Sequence, residues 1–435
     1  VTVTSANAAE RSPRSEPRLA RRLERPDRVA EARMPFHRRF AVWFPLAVFA
    51  LSRLWVVVIG VVTSHGQIPL PLGSLNIRIF YPTPADPGYW AVMSGWDGQW
   101  YRVIAEQGYP DTLPRIGTGE VDMNPWAFFP VFPFLVRGVM TVTGLPFDVV
   151  GPLVSTVIGL AAVYLLFRLV DRVVGRWEAI VAVVATSFYI ASPIFSASYT
   201  ESTGLLMVVV VLTLLRARRY WWVALALLVT ALSRNIVVAM VPVIIAHGVV
   251  RWHRKDEGDN PARLRLGLAA LAAWAGILTL LWPTLVSLLT GTPNAYNDTM
   301  EAWNIQTKLK LYMWWGLLYD YWGVLGQVLG VLGVAAFAWF MLSRHSWRWG
   351  PEIWGWAGAY PSYLLIVTST TPSRVRYALL AFPFTLVIAW FLQLPGIRRY
   401  RYWALAGMVL VGGALMWWWT KNYLVVENLT DDLYP

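Results

Sequence analysis

Asp97 stands in "GWDGQWYRVIAEQGYP", a polar stretch that follows the first long apolar run, with Trp96 before it and Trp100, Tyr101 and Arg102 after it. Gly and Pro punctuate both ends, and the spacing predicts one helix of about four turns over "YWAVMSGWDGQWYRVIAEQGYP". On that helix Asp97, Tyr101 and Ile104 share a face by the i, i+4, i+7 rule. Trp96, Trp100 and Val103 form an adjacent apolar stripe suited to a membrane interface. A carboxylate held there can meet the head group of a lipid-borne substrate. It can equally be a solvated residue that caps or turns the chain, and the stretch alone leaves both readings open.

The elements that must position this carboxylate are membrane-spanning. Of 435 residues, 57% are hydrophobic and 14% charged, with a mean hydropathy of +0.47, against about 25% charged residues in an ordinary soluble domain. Several apolar runs reach the ~18–20 residues that cross the hydrocarbon as a helix. The chain therefore reads as an all-α polytopic membrane protein. With no cysteine, disulfides, thiolate metal sites and a cysteine nucleophile are excluded.

The formal net charge of +12 invites a nucleic-acid partner, but its placement argues for the membrane. Residues 1–39 carry ten Arg among Pro, Ser, Ala and Glu, a composition that cannot bury a core. They are expected to be a disordered cytoplasmic tail and not a secretory signal. Basic clusters recur at Arg168/Arg172/Arg176, Arg216/Arg218/Arg219, Arg251/Arg254/Lys255/Arg263/Arg265, Arg344/Arg348 and Arg398/Arg399/Arg401. Placing every cluster inside requires about eleven spans, with the N-terminus cytoplasmic and the C-terminus outside. Two pieces resist a full crossing. Phe128–Leu145 must start and end outside, as a juxtamembrane or re-entrant helix, and Tyr220–Val250 starts and ends inside with Arg234-Asn235 at its outer turn. The 26 Trp fall largely at expected interfaces, as in "YWW" from Tyr220 and "MWWW" from Met416. Lysine is confined to Lys255, Lys308, Lys310 and Lys421 among 37 basic residues, the Arg bias of a GC-rich, bacterial genome.

The carboxylates complete the outer-face picture. Outside the tail and a few inner positions they are Asp86, Asp97, Glu106, Asp111, Glu120, Asp122, Asp148, Glu201, Asp298, Glu301 and Asp320, with Glu427, Asp431 and Asp432 near the end. All lie in expected outer segments, and none in mid-span, where ion-coupled transporters usually carry them. Neither is there an inverted repeat of the kind that often accompanies transport. Chemistry, if any, belongs at the outer surface.

"WDGQWYRVIAEQGYP" followed by "NPWAFFPVFPFLVR" resembles the second GPI mannosyltransferase family, the PIG-V-like membrane glycosyltransferases. The matching positions are Trp96-Asp97, Ile104-Ala105, Gly108-Tyr109 and Ala127-Phe128-Phe129-Pro130 with Pro133. Tyr199-Thr200-Glu201 in "FSASYTES" parallels a Tyr-Ser-Glu of that family, Arg234-Asn235 in "TALSRN" parallels an Arg-Ser-Asn, and Arg53 in "LSRLW" matches an early Arg. The resemblance covers roughly residues 40–250. It departs where Met123 and Asn124 replace an acidic position, leaving Asp122 displaced, and where Ile236 replaces a Gly.

The resemblance implies a GT-C bundle whose first extracytoplasmic loop, 64–147, carries two juxtamembrane helices and the catalytic acid, within a catalytic module over 40–250. The remaining 251–435 form a C-terminal bundle with an outer loop over 291–322. The implied donor is polyprenyl-phosphate mannose, the implied reaction inverts the anomeric centre, and the acceptor is a lipid-linked or other envelope glycan, a lipoglycan or a protein. One carboxylate suffices, because one base takes the acceptor proton while a phosphate leaving group needs charge stabilisation, not protonation. Asp97 is that base. A divalent metal is compatible but no His or carboxylate cluster demands it.

The other assignments follow from the same implied chemistry. Arg374 and Arg376 in "STTPSRVRYALLAFP" occupy a short outer turn, against the positive-inside trend, and suit a phosphate bidentately, with Arg234 the further candidate. Snorkelling to headgroups is the alternative for all three. Tyr377 packs the polyprenyl chain or the sugar. Trp96, Tyr101, Tyr199, Glu201 and Asp122 complete the expected substrate contacts, Glu201 having the alternative of a carboxylate favoured by a helix start. Arg53, roughly 15 Å below its span end by helix rise, bears a charge costing at least ~2.5 kcal/mol at depth, so it faces a polar cavity for a structural or functional reason. The segment with "NAYNDTMEAWN" is a lid or acceptor contact over the site, or a plain structural loop. Transfer of arabinose or glucose from the same carrier is the alternative within enzymes, and a lipid-linked sugar flippase the alternative outside them.

Overall fold

The structure, a computed structural model, describes residues 35–73, 79–254, 261–303, 311–368 and 373–428. Most of the expected tail, Lys255, Ser369 to Pro372 of the Arg374 turn, and Asp431 and Asp432 lie outside the described residues. Regular structure among the described residues is helical, apart from two isolated bridges, Leu70 with Thr83 and Arg115 with Val121. Four helices are long and apolar enough to cross a membrane: Arg39–Ser64, Phe147–Val173, Tyr312–Met341 and Arg398–Leu424. Two sharply bent pairs, Ala262–Leu278 with Leu281–Thr290 and Arg374–Leu380 with Pro383–Phe391, bring the number to six if each pair is one span. The chain is an all-α polytopic membrane protein.

The expectation of about eleven crossings meets a bundle built partly from short and broken helices. Arg176–Ser187 stops after 12 residues and the chain continues through a 3-10 turn at Ser192–Ser196 before Glu201–Arg216 begins. A helix that breaks in apolar surroundings exposes carbonyls with no water to satisfy them. Arg53, buried on the first helix, answers that need. Its guanidinium donates to the Ser187 and Ser192 carbonyls at 3.2 and 2.6 Å and to the Ser192, Ser196 and Ser52 hydroxyls. Of the two roles open for Arg53, the structure shows the scaffold one.

Leu311–Met341 is likewise not one rod. Gly323 adopts φ 60°, ψ −147°, and Gln327 Nε2 reaches the Trp315 carbonyl at 3.5 Å, whereas these residues would stand roughly 18 Å apart along a straight helix. The chain doubles back at Gly323, a left-handed conformation that glycine adopts without penalty. Residues 324–341, about 27 Å of helix, are left to cross. Residues 311–322, expected as the end of an outer loop, form a helix folded against them.

One end of the bundle is closed by the segment between Ser64 and Phe147. The expected single helix around Asp97 is two, Gly88–Met93 and Asp97–Glu106. Ser94-Gly95 interrupts the first, and Trp96 takes φ 55°, ψ −119°, a conformation that costs a residue with a Cβ of order 1–3 kcal/mol. What holds it is the indole Nε1, which donates to the Leu424 carbonyl at 3.0 Å. The aromatic stripe also faces differently from expectation. Trp96 and Trp100 are buried in protein, not laid in an interface, because Trp100 is enclosed by Phe80, Phe128 and Trp303 rings at 4.5, 5.9 and 4.8 Å. Of the "MWWW" cluster Trp419 is buried too, while Trp221 and Trp222 of "YWW" are exposed as expected.

The third α-helix of this segment, Val131–Thr143, corresponds to the expected juxtamembrane element over Phe128–Leu145. It packs Phe132 edge-on to Tyr101 at 5.3 Å, and Arg137 donates to the Ala105 carbonyl, satisfying the last turn of the Asp97 helix. Asn124, at the departure from the family pattern, is fully buried. Its Oδ1 accepts the Trp126 N–H at 3.0 Å, and its Nδ2 donates to Thr299 at 3.1 Å. Ala295–Ala302, a helix where the expectation was a lid, an acceptor contact or a plain loop, is thereby tied to this segment, with Tyr296 buried beside it.

Candidate functional site

Four segments far apart in sequence bring charges together at the end of the bundle closed by the 65–146 segment. Asp97 is the first residue of its helix, where the helix dipole favours a carboxylate, and its N–H is 3.3 Å from the Tyr199 hydroxyl, which accepts it. Glu201 opens the Glu201–Arg216 helix. Arg234 stands in the break between Tyr220–Ala231 and the 3-10 turn Val237–Ala239. Arg376 lies in the short Arg374–Tyr377 helix, just before the 78° bend to Pro383–Phe391.

The geometry is a chain of alternating charges. Arg376 Nη2 donates to Asp97 Oδ2 at 2.6 Å, and Arg376 Nε is 3.6 Å from Glu201 Oε1. Arg234 Nη1 is 3.0 Å from the same Glu201 oxygen and donates to Thr200 Oγ1 at 3.0 Å. The Tyr101 hydroxyl donates to that Thr200 oxygen at 3.3 Å. Burial raises the Tyr101 phenol above its usual range, so it serves as a neutral donor. Aromatic rings wall the cations: Arg376 lies 4.9 Å from the Tyr199 centroid and 5.2 Å from that of Tyr377, and Arg234 lies 4.9 Å from Tyr377.

The cluster is incompletely satisfied. Both Glu201 carboxylate oxygens and Arg376 Nε are buried without a hydrogen-bond partner, although the Glu201 oxygen shared by the two arginines is within ion-pair distance of both. Native buried polar groups are nearly always paired, and exceptions ask for an explanation such as a ligand. Side-chain exposure falls from 29% at Asp97 to 7% at Arg376 and 1% at Glu201. Asp97 is therefore the member that an incoming molecule reaches. Such a site can hold an anion on its guanidiniums while a carboxylate beside them takes a proton.

Of the residues singled out from sequence, the structure joins Asp97, Glu201, Arg234, Arg376, Tyr101, Tyr199 and Tyr377, with Trp96 fixing the turn before Asp97. Arg374 points elsewhere, its guanidinium 4.4 Å over the Trp314 ring, because residues two apart on one helical turn face different sides. Asp122 accepts the Met123 N–H at 2.8 Å in the loop before Pro125–Ala127, a local turn contact. Thr200 and Tyr360 carry less sequence signal. Tyr360 is buried and its hydroxyl donates to the Tyr377 carbonyl at 2.9 Å, and Tyr363 donates to the Asn235 carbonyl; both brace the turns that carry Arg376 and Arg234. Gly204 is a further contributor: a Cβ there would lie 3.3 Å from Arg234 Cδ and 3.1 Å from Leu380, so its absence makes room for the Arg234 stem. Among the described residues no group of three or more His, Asp or Glu has the arrangement of a metal site.

No family model matches the chain, and no curated protein does. Among solved structures it is similar to ArnT from Cupriavidus metallidurans bound to undecaprenyl phosphate, at 16% identity and TM-score 0.46 over 86% of this chain and 75% of that one. It is also similar to the Archaeoglobus fulgidus oligosaccharyltransferase tethered with an acceptor peptide, at 12% identity and TM-score 0.45 over 88% of this chain and 56% of that one.

Proposed function

We propose that the chain is an integral-membrane glycosyltransferase of the GT-C type, which transfers mannose from polyprenyl-phosphate mannose, with inversion, to an acceptor hydroxyl on the extracytoplasmic face of a bacterial plasma membrane. The observation that carries this reading is the Asp97–Arg376 pair at 2.6 Å, the exposed edge of a buried cluster with unmade hydrogen bonds. The choice of mannose rests on the PIG-V-like pattern around Asp97, and the acceptor class on its being an envelope glycan, lipoglycan or protein. The basic clusters at the opposite helix ends favour the outer placement.

In the proposed step Asp97 takes the proton of the acceptor hydroxyl as its oxygen attacks the anomeric carbon. The bond from that carbon to the donor phosphate breaks, and the phosphate leaves with the electron pair. Before reaction the two carboxylates and two guanidiniums sum to zero. Once Asp97 is protonated, Glu201, Arg234 and Arg376 carry a net positive charge, at the moment the leaving phosphate gains a negative one. Such matching stabilises the transition state more than the ground state, which is what accelerates a reaction. Arg376 is the primary phosphate ligand, Arg234 supports it, and Glu201 holds both guanidiniums in place.

The test is incubation of purified protein with labelled polyprenyl-phosphate mannose, and with the corresponding glucose and arabinose donors, in the presence of extracted envelope lipids. Transfer from the mannose donor to a product of opposite anomeric configuration supports the reading. Transfer only from another sugar donor corrects the donor, and no transfer from any of the three overturns the function.

A further inference from the structure

A second cavity lies against the Asp97 turn, outside the ion cluster. It has a volume of about 220 Å³, space for roughly seven waters at ~30 Å³ each, the scale of a single sugar ring. Gly95, Trp96 and Gln99, which flank Asp97 on both sides, line it together with Tyr81, Arg102 and Asp148. The first link to a ligand is Gln99, which is buried. Its Oε1 accepts the Phe80 N–H at 2.9 Å, which fixes the orientation of the amide, and its Nε2 has no partner. A buried amide NH2 left with both donors unused is rare, and here its residue lines a cavity of mixed polar and apolar character.

The charge on the wall decides the chemical class. Arg102 donates from Nη1 to both Asp148 oxygens at 3.0 and 2.9 Å, and from Nε to Glu106 behind the wall at 2.8 Å, so the two charged residues of the lining are paired with each other and the wall carries no net charge. An anion such as the donor phosphate finds no free counter-charge there, whereas Arg376 keeps an unused donor on the other side of Asp97. A neutral polyol needs no counter-charge. An amide donor, the Asp148 carboxylate and the indole of Trp96 are complementary to sugar hydroxyls and to the apolar face of a pyranose. We infer that this cavity binds the acceptor as a neutral sugar ring, Gln99 donating to one of its hydroxyls, so that a neighbouring hydroxyl is presented to Asp97. The acceptor is then a glycan and not a peptide or an anionic head group. The assignment of this ring as acceptor rests on the proposed transfer at Asp97, whereas sugar binding by the cavity does not.

The experiment uses the full purified chain and reads binding separately from turnover. Saturation-transfer NMR with methyl α-mannopyranoside and methyl α-glucopyranoside is expected to show binding of at least one. It should be weakened by up to about tenfold, the order of one lost hydrogen bond between neutral groups, in Gln99→Glu, which keeps shape and the Phe80 contact but removes the Nε2 donor. Gln99→Met is the second variant should Gln99→Glu not fold. Where transfer occurs, the same variants are expected to raise the acceptor KM and leave the donor KM unchanged, a split that a merely structural defect does not give. Glycoside binding that depends on Gln99 in a protein without transfer activity keeps the sugar site and removes the transferase reading. Binding of neither glycoside, equal binding by wild type and Gln99→Glu, or a change confined to the donor KM overturns the cavity assignment while leaving transfer at Asp97 intact.

Discussion

Arg53 and Arg376 are both guanidiniums buried among apolar helices, and they are completed in different ways. Arg53 makes five hydrogen bonds, four to carbonyls and hydroxyls around the break after Ser187 and one to the Ser52 hydroxyl on its own helix. A guanidinium has five N–H donors, and this one has no capacity aimed at a ligand. Arg376 makes a single hydrogen bond, to Asp97, and its buried Nε has none. The difference separates a cation that repairs a broken helix from one with donor capacity left over, which we propose takes the donor phosphate. Depth in the membrane and match to a family pattern do not make that distinction. Saturation of the donors does.

The comparison makes graded predictions. Asp97→Asn keeps shape and removes the base, so turnover should fall ~10²–10⁴-fold with the fold and donor affinity retained, as read by single-turnover kinetics on purified protein. Wild-type rates in that variant would mean that the proton goes elsewhere. Arg376→Ala should lower turnover ~10²–10³-fold, the cost typical of losing one donor to developing negative charge, and should also raise the donor KM. Arg53→Met should act on stability instead, each orphaned carbonyl costing ~1–3 kcal/mol. Its thermal midpoint in detergent should drop while KM and turnover per folded molecule stay unchanged. A selective KM effect in Arg53→Met would place it in the site after all. Arg374→Ala should matter least for turnover, since its guanidinium lies over the Trp314 ring and not against the Asp97 cluster; a loss as large as that of Arg376→Ala would show that the Trp314 contact is broken when substrate binds.

The chemistry of the site was more legible in the sequence than its construction. Asp97, Glu201, Arg234 and Arg376 each stand out singly, as charges at span ends or turns, and motif spacing adds weight to the first three. What pattern cannot show is that they meet, because the contacts span up to 279 residues. Arg374 and Arg376 are equivalent by charge and location, and only the turn of the short helix between them separates their roles. The break at Trp96 was not legible because its support, the Leu424 carbonyl, lies 328 residues away. The period of Trp96, Trp100 and Val103 correctly marks an apolar face, yet periodicity does not say whether lipid or protein covers it. Hydropathy likewise finds apolar length but not the reversal at Gly323, which turns one long stretch into a crossing and a folded-back helix. Gln99 carries no pattern at all, since its interest comes from an unpartnered amide.

The central claim is that the unsaturated cluster, and not the saturated one, is a phosphate site. The most direct measurement is titration of sugar-free polyprenyl phosphate into purified wild type, Arg376→Ala and Arg53→Met, with binding read from the ligand's phosphorus resonance. The account predicts saturable binding by wild type, an affinity weakened at least tenfold in Arg376→Ala, as for loss of a charge-assisted bond of ~1.5–3 kcal/mol, and unchanged affinity in folded Arg53→Met. Equal affinity in wild type and Arg376→Ala would contradict it.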